Sequence, residues 1–254
     1  MASHPDYPRT RLFIDEPLEA GMQLSLAEKQ AHYLLQVLRG KPGDAVALFN
    51  GKDGEWLATL ESTGKKSATL SLKKLLRPQS PQADLWLLCA PLKNARTEWV
   101  VEKATELGVA RICPVSTQFT VADRINEARL AAIAREAAEQ CERLTLPVID
   151  PLTPLLRVLT GWQAERKLIF GDESGKGGNA RDLLPGLAPG PCALLIGPEG
   201  GFSSAELELL RGHAYVSGMC LGPRVLRADT AAIAALALLQ AFCGDWEGKP
   251  AFRG

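Results

Sequence analysis

Two glycine-bearing loops hold the residue types best suited to bring a ligand against the backbone. Gly197-Pro198-Glu199-Gly200-Gly201 follows the apolar run Cys192-Ala193-Leu194-Leu195-Ile196, and the stretch from Leu221 through Gly222, Pro223, Arg224, Val225, Leu226, Arg227, Ala228 and Asp229 to Thr230 follows Ala214 to Met219. Glycine permits close approach of a ligand, and amides at the start of the next helix can meet its polar groups. An isolated loop of this kind fits a plain turn equally well. Two in succession, each just past a strand, match the place where open α/β sheets bind ligands. Other chemistries lack their residues. There is no G-x-S-x-G elbow, no H-E-x-x-H and no G-x-G-x-x-G. Gly171-Asp172-Glu173-Ser174-Gly175-Lys176 imitates a phosphate loop but is one residue short, with Gly177 where a Ser or Thr would hold magnesium, so a nucleoside triphosphatase is rejected.

The elements that must position these loops read as alternating strands and helices. Cys192 to Ile196 is a short buried strand; Ser203 and Glu206 form a capping box opening a helix with Leu207, Leu209 and Leu210 on its apolar side. Upstream, Leu85 to Ala90 and Ala110 to Val115 read as strands around a helix from Thr97 to Leu107 that stops at Gly108. A helix over Glu127 to Arg143 and a strand over Lys167 to Glu173 follow. This alternation predicts a mainly parallel sheet covered by helices. The last helix, from Ala231 to Leu239, is apolar nearly all round and must be buried, either in the core or against a second copy.

The N-terminal region differs. A strand at Arg9 to Ile14 and a helix carrying Leu26, Tyr33, Leu34, Val37 and Leu38 lead to three strands, Ala45 to Phe49, Glu55 to Leu60 and Ala68 to Leu72, that suggest a small β-barrel. The proline-rich polar stretch at 77–83 reads as a linker between domains at 1–76 and 84–254. With 29 basic and 29 acidic residues the chain has no net charge, so any RNA contact must come from local patches. No span is long and apolar enough to cross a bilayer, and Met1-Ala2-Ser3-His4-Pro5 lacks a signal peptide's apolar core, so a cytoplasmic protein is expected. The six cysteines and three histidines have no metal-ligand spacing, and no metal is expected.

The pieces LLIGPEGGFSSAE at 194–206 and LGPRVLRADTA at 221–231, with KNARTEWVVEKATELGV at 93–109, EAAEQCER at 136–143 and HYLLQVLRGKPGD at 32–44, resemble the RsmE family. These are SPOUT-class enzymes that methylate N3 of a uridine in small-subunit (16S) ribosomal RNA. The resemblance implies a SPOUT domain with a deep trefoil knot, an N-terminal PUA-like RNA-binding module and a two-fold dimer through the C-terminal domain. It also implies S-adenosylmethionine as cofactor and small-subunit ribosomal RNA, free or in the assembled 30S subunit, as substrate. Relatives commonly carry Thr-Glu where this chain has Ala228-Asp229, which leaves Asp229 as either a helix cap or a functional acid.

On that resemblance, Leu195, Gly197, Pro198, Glu199, Gly200, Gly201, Leu221, Gly222, Pro223, Leu226 and Thr230 are expected to hold the cofactor. Arg227 is expected to stabilise charge developing on the uracil, and Glu199 to act as a base or cofactor partner. Arg9, Arg11, Arg39, Lys41, Lys65 and Lys66 are candidate phosphate contacts. The rival is a non-catalytic RNA-binding or ribosome-assembly module that kept the fold and lost the chemistry.

Overall fold

The computed structural model describes residues 7–64, 66–93, 95–187 and 190–248. It divides into two units, one comprising residues 7–81 together with Ala138–Thr145, the other Gln82–Ala137 together with residues 146–248. The expected division was contiguous. The end of a long helix and the loop after it nevertheless belong with the N-terminal unit, because two arginines of that unit, Arg11 and Arg77, donate to their carbonyl groups.

The N-terminal unit contains β1 (Thr10–Phe13), β2 (Gln23–Ser25), α1 (Glu28–His32), β3 (Ala45–Phe49), β4 (Glu55–Thr63) and β5 (Ala68–Arg77). The sheet order is β1-β3-β4-β5-β2, with β1 parallel to β3 and the other pairs antiparallel. Alternating residues such as Val46, Leu48, Ala58, Leu60, Leu70 and Leu72 form its core. The predicted helix is real but short. It continues as one π-helical turn over Tyr33–Val37, while Leu26 lies before it and Val37 and Leu38 are exposed. Arg39 ends that turn at φ 57°, a left-handed position usually given to glycine.

Arg11 corrects one expectation: it is 5% exposed and is no phosphate contact. Its Nε donates to Glu55 Oε1 at 2.5 Å, Nη1 donates to the carbonyls of Ala138 (2.7 Å) and Glu139 (3.0 Å), and Nη2 donates to that of Arg143 (3.0 Å). The guanidinium also stacks on Phe49 at 4.4 Å. Glu55 is fully buried and accepts in addition from Arg77 Nε at 2.7 Å and from the Tyr7 hydroxyl. A buried carboxylate needs such partners, and carbonyls at a helix C-terminus favour a cation.

The C-terminal unit contains β6 (Leu85–Cys89), α2 (Ala95–Glu106), β7 (Arg111–Ser116), α3 (Glu127–Cys141, its last turn in the other unit), β8 (Val148–Ile149), β9 (Thr153–Pro154), α4 (Leu155–Thr160), β10 (Lys167–Gly171), β11 (Gly178–Asn179), α5 (Ala180–Leu183), β12 (Cys192–Ile196), α6 (Ser204–Arg211), β13 (Val216–Cys220) and α7 (Ala228–Cys243). As the alternation predicted, the sheet is parallel, in the order β11-β13-β10-β12-β6-β7-β8, with β9 also beside β7. Successive strand residues face opposite sides. Leu87, Ile112, Ile169 and Leu194 pack with α2, α3 and α7, whereas Leu88, Val115, Phe170 and Leu195 pack with α4 and α6. The short elements β2, β8, β9, α4, β11 and α5 have no periodic signal and were not anticipated.

Removing Arg11 would take one of two guanidinium partners from a buried carboxylate and leave several carbonyl groups without their donor. Arg11→Ala should therefore lower the unfolding free energy by about 3–5 kcal/mol, while Arg9→Ala, at an exposed position, should change it by less than about 0.5 kcal/mol. Urea unfolding of the two variants side by side checks this, and equal losses would contradict it.

Candidate functional site

Parallel pairing places three strand ends together. Phe170 of β10 is opposite Leu195 of β12 on one side and Gly218 of β13 on the other, so the loops after all three strands emerge at the same edge. They enclose a cavity of about 490 Å³, within the range of about 300–1,000 Å³ usual for small-molecule sites. Gly197, Pro198, Glu199 and Gly201 line it from the first predicted loop, and Leu221, Gly222, Pro223, Leu226 and Arg227 from the second.

The third wall was missed. Gly171, Asp172, Glu173 and Gly175 line the cavity, and they belong to the stretch that reads in sequence as the end of a strand and a failed phosphate loop. The strand ends at Gly171, so Asp172 and Glu173 are loop residues. Asp172 organises this wall. Its Oδ1 accepts from the Ser174 amide (3.0 Å) and hydroxyl (2.6 Å), and its Oδ2 accepts from Arg211 Nη2 (2.8 Å). Cys220 Sγ donates to the carbonyls of Asp172 and Gly177, each at 3.3 Å, tying the third loop to the end of β13. Burial pushes the Asp172 carboxyl up, but the bonds from Ser174 and Arg211 outweigh it and hold it below its usual value.

Close approach explains particular glycines. A side chain at Gly218 would stand 2.9 Å from Asp172 Oδ2 and 3.0 Å from the Phe170 ring, and one at Gly177 would meet the Gly218 backbone at 2.8 Å. Gly201, at φ +70°, passes beneath the Glu173 carboxylate; Gly222, at φ +97°, has nothing within 4 Å where a Cβ would be. The first glycine restricts its neighbours. The second leaves room at the wall.

Three expected cofactor residues lie off the cavity wall. Leu195 is fully buried among the residues on the α4/α6 face; its neighbour Ile196 lines the cavity instead, a one-residue shift set by strand alternation. Gly200 serves packing, since a Cβ there would be 2.9 Å from that of Phe119. Thr230 is exposed one turn into α7, where Ala228 and Ala231 form the wall. The capping box is present: Ser203 Oγ accepts from the Glu206 amide (3.3 Å), Glu206 Oε2 from the Ser203 amide (2.8 Å). Glu206 Oε1 also accepts from the Gln118 amide at 2.8 Å, which no local motif announces.

Arg227 is the residue before α7, exposed and on the cavity wall, with no carboxylate within 4.0 Å among the described residues. Arg224 lines the same wall and was not singled out. Asp229 is not the cap. It sits inside the first turn, accepts from the Thr230 amide at 2.9 Å and faces Arg96 Nε at 3.7 Å. Arg96 Nη1 also meets Glu199 Oε1 at 3.4 Å, so one guanidinium joins the first loop to the start of α7. Among the RNA candidates, Arg9, Arg39 and Lys41 are exposed, Lys66 is exposed and paired with Glu28 at 2.7 Å, and Lys65 lies outside the described residues.

Residues 78–240 match the family model of an RNA methyltransferase domain, and residues 26–73 that of an RNA methyltransferase PUA domain. The chain is 34% identical to the ribosomal RNA small subunit methyltransferase E of Rickettsia conorii, an alignment covering 92% of this chain and 98% of that one. It belongs to the ribosomal RNA small subunit methyltransferase E family. A Legionella pneumophila putative methyltransferase solved with S-adenosylmethionine is similar at 33% identity and a TM-score of 0.85, over 93% of this chain and 98% of that one. A Neisseria gonorrhoeae ribosomal RNA small subunit methyltransferase E bound to S-adenosylmethionine is similar at 27% identity and a TM-score of 0.84, over 93% of this chain and 99% of that one. For this RsmE-family chain, the RNA-methyltransferase and PUA expectations are borne out.

The Asp172 clasp makes a pH-dependent prediction. Because its folded value is depressed below the ordinary 3.8, its stabilisation is complete above that pH and is lost as the pH falls through the folded value. The Tm gap between the native chain and Asp172→Asn should be constant near neutrality and close in acid below pH 3.8. A gap unchanged down to strong acid would show that the carboxylate's charge is not what holds the loop.

Proposed function

We propose that this chain transfers a methyl group from S-adenosylmethionine to N3 of a uridine in 16S ribosomal RNA within the small subunit, in the cytoplasm. The cavity carries this reading, because three loops meet there and its wall suits that cofactor. Ile196, Leu221 and Leu226 offer apolar surface for the adenine, the Glu173 carboxylate can accept hydrogen bonds from hydroxyl groups, and the open backbone at Gly222 admits close approach. The bound cofactor supplies an electrophilic methyl on a sulfonium.

The protein must then align the base and assist loss of its N3 proton. Loss of that proton spreads negative charge over the two flanking uracil carbonyl oxygens. Arg227, the residue before α7 and free of carboxylate partners among the described residues, would stabilise that charge with a planar fork of donors. Glu199 is the acid on the same wall that can take the proton, with Arg96 holding it and Asp229 in register. The target uridine must be turned out of its stack to enter such a site.

The exposed Arg9, Arg39 and Lys41 of the PUA-like unit are proposed phosphate contacts. The family's trefoil knot and two-fold dimer belong to the same reading. The dimer draws support from α7, whose Ile233, Leu238 and Phe242 are not buried within the chain; light scattering that reports a single 27.4 kDa chain at working concentration would remove it.

Labelled S-adenosylmethionine with small subunits from a strain lacking the modification should place label in N3-methyluridine. Arg227→Lys should bind both ligands yet transfer about a hundredfold to a thousandfold more slowly in a single turnover. Subunit binding by the native chain without methyl transfer would favour the assembly-module reading, and near-normal transfer by the variant would make Arg227 structural.

A further inference from the structure

A second cavity, of about 240 Å³, lies in the C-terminal unit and shares no residue with the first. Trp86, Arg111, Val158, Trp162 and Arg166 are on its wall. Trp86 has the guanidinium of Arg166 at 3.7 Å and that of Arg111 at 4.8 Å from its ring centroid, and meets Trp162 edge to face at 6.2 Å. Trp162 stacks on Tyr215 (6.2 Å, 21°), which stacks on His213 (4.9 Å, 20°). Interleaved aromatic rings and guanidinium planes are the surface on which proteins stack single-stranded nucleic acid.

The donors and charges narrow the ligand. Arg166 is 5% exposed, and its Nε is buried without a hydrogen-bond partner, although Nη1 and Nη2 donate to Asp84 at 3.0 and 2.7 Å. Such an orphaned donor is costly, but it is closed to solvent, so the guanidinium edge open to the cavity is that of Arg111, whose side chain is 38% exposed. Arg111 donates through Nε (2.8 Å) and Nη2 (2.9 Å) to Asp150, which leaves its Nη1 without a partner among the described residues. Both guanidinium charges are therefore neutralised by carboxylates, which disfavours phosphate. A neutral planar ring with carbonyl acceptors fits both the donors and the aromatic wall, and the cavity falls below the usual size of sites for larger ligands.

We propose that this cavity binds one unpaired nucleobase of the RNA substrate, a pyrimidine or similar carbonyl-bearing ring, stacked at Trp162 and hydrogen-bonded by Arg111. The site would anchor a nucleotide outside the methylation cavity and so add to substrate recognition. It rests on the RNA-methyltransferase reading only for the identity of the polymer.

The test uses the full chain, a fluorescent single-stranded uridine-rich oligoribonucleotide, a blunt RNA duplex and uridine monophosphate. Trp162→Leu should weaken oligonucleotide binding about tenfold, with the duplex affinity, the salt slope and the S-adenosylmethionine affinity unchanged, because stacking is lost and no phosphate contact is. Photo-crosslinking of a 4-thiouridine oligonucleotide to the unmodified chain gives a readout that needs no variant, and should map to the peptide containing Trp162. Equal oligonucleotide affinity in the variant, or crosslinks only elsewhere, would overturn the proposal. Uridine monophosphate binding as tightly as the oligonucleotide would also overturn it, in favour of a free-nucleotide site. Loss of methyl transfer with this crosslink intact would count against the methylation reading alone.

Discussion

The parallel pairing of β12, β10 and β13 is the constraint on which the site depends. A parallel ladder forces neighbouring strands to end at the same edge of the sheet, so the three loops that follow have nowhere to go but toward one another. The register is pinned from both faces, because Leu168, Phe170, Ala193 and Leu195 are buried on one side and Ile169, Cys192, Leu194 and Ile196 on the other. A slip of one residue would exchange the faces of a strand and would point Leu195, rather than Ile196, at the cavity.

Charge is handled in contrasting ways at different places. In the N-terminal unit Arg11 and Glu55 are buried with nearly every polar atom bonded, a structural use of ions. At the cavity, Asp172 is bonded into the fold of its own loop, whereas Arg227 lines the wall with no carboxylate within 4.0 Å among the described residues. The difference separates residues that shape the wall from those that can act on a ligand.

The sequence carried the long elements and most of two walls, since buried strands, the capping box and the glycine loops leave local signals. Ser203 with Glu206, and Gly108 at φ +77°, are where the local pattern placed them. The third wall was hard to read because, beside the local bonds from Ser174, the Asp172 carboxylate takes one from Arg211 and its carbonyl one from Cys220, partners distant in sequence that no local pattern announces. Arg11 misled for the same reason: an arginine at the start of a chain looks like a surface charge until Glu55 and the carbonyls of Ala138, Glu139 and Arg143 are brought to it. Arg96 was visible only as part of a family-like stretch, and its link between Glu199 and Asp229 needed three dimensions.

The claim that the three-loop cavity is the cofactor site is tested most directly by calorimetric titration of S-adenosylmethionine into the native chain and Gly201→Val. At φ +70°, with the Glu173 carboxylate where its Cβ would stand, a β-branched residue must displace the contact between the first and third loops. The account predicts one cofactor per chain for the native protein and at least about a tenfold loss of affinity in a variant whose circular dichroism spectrum is native. Native-like affinity in that folded variant would place the cofactor elsewhere.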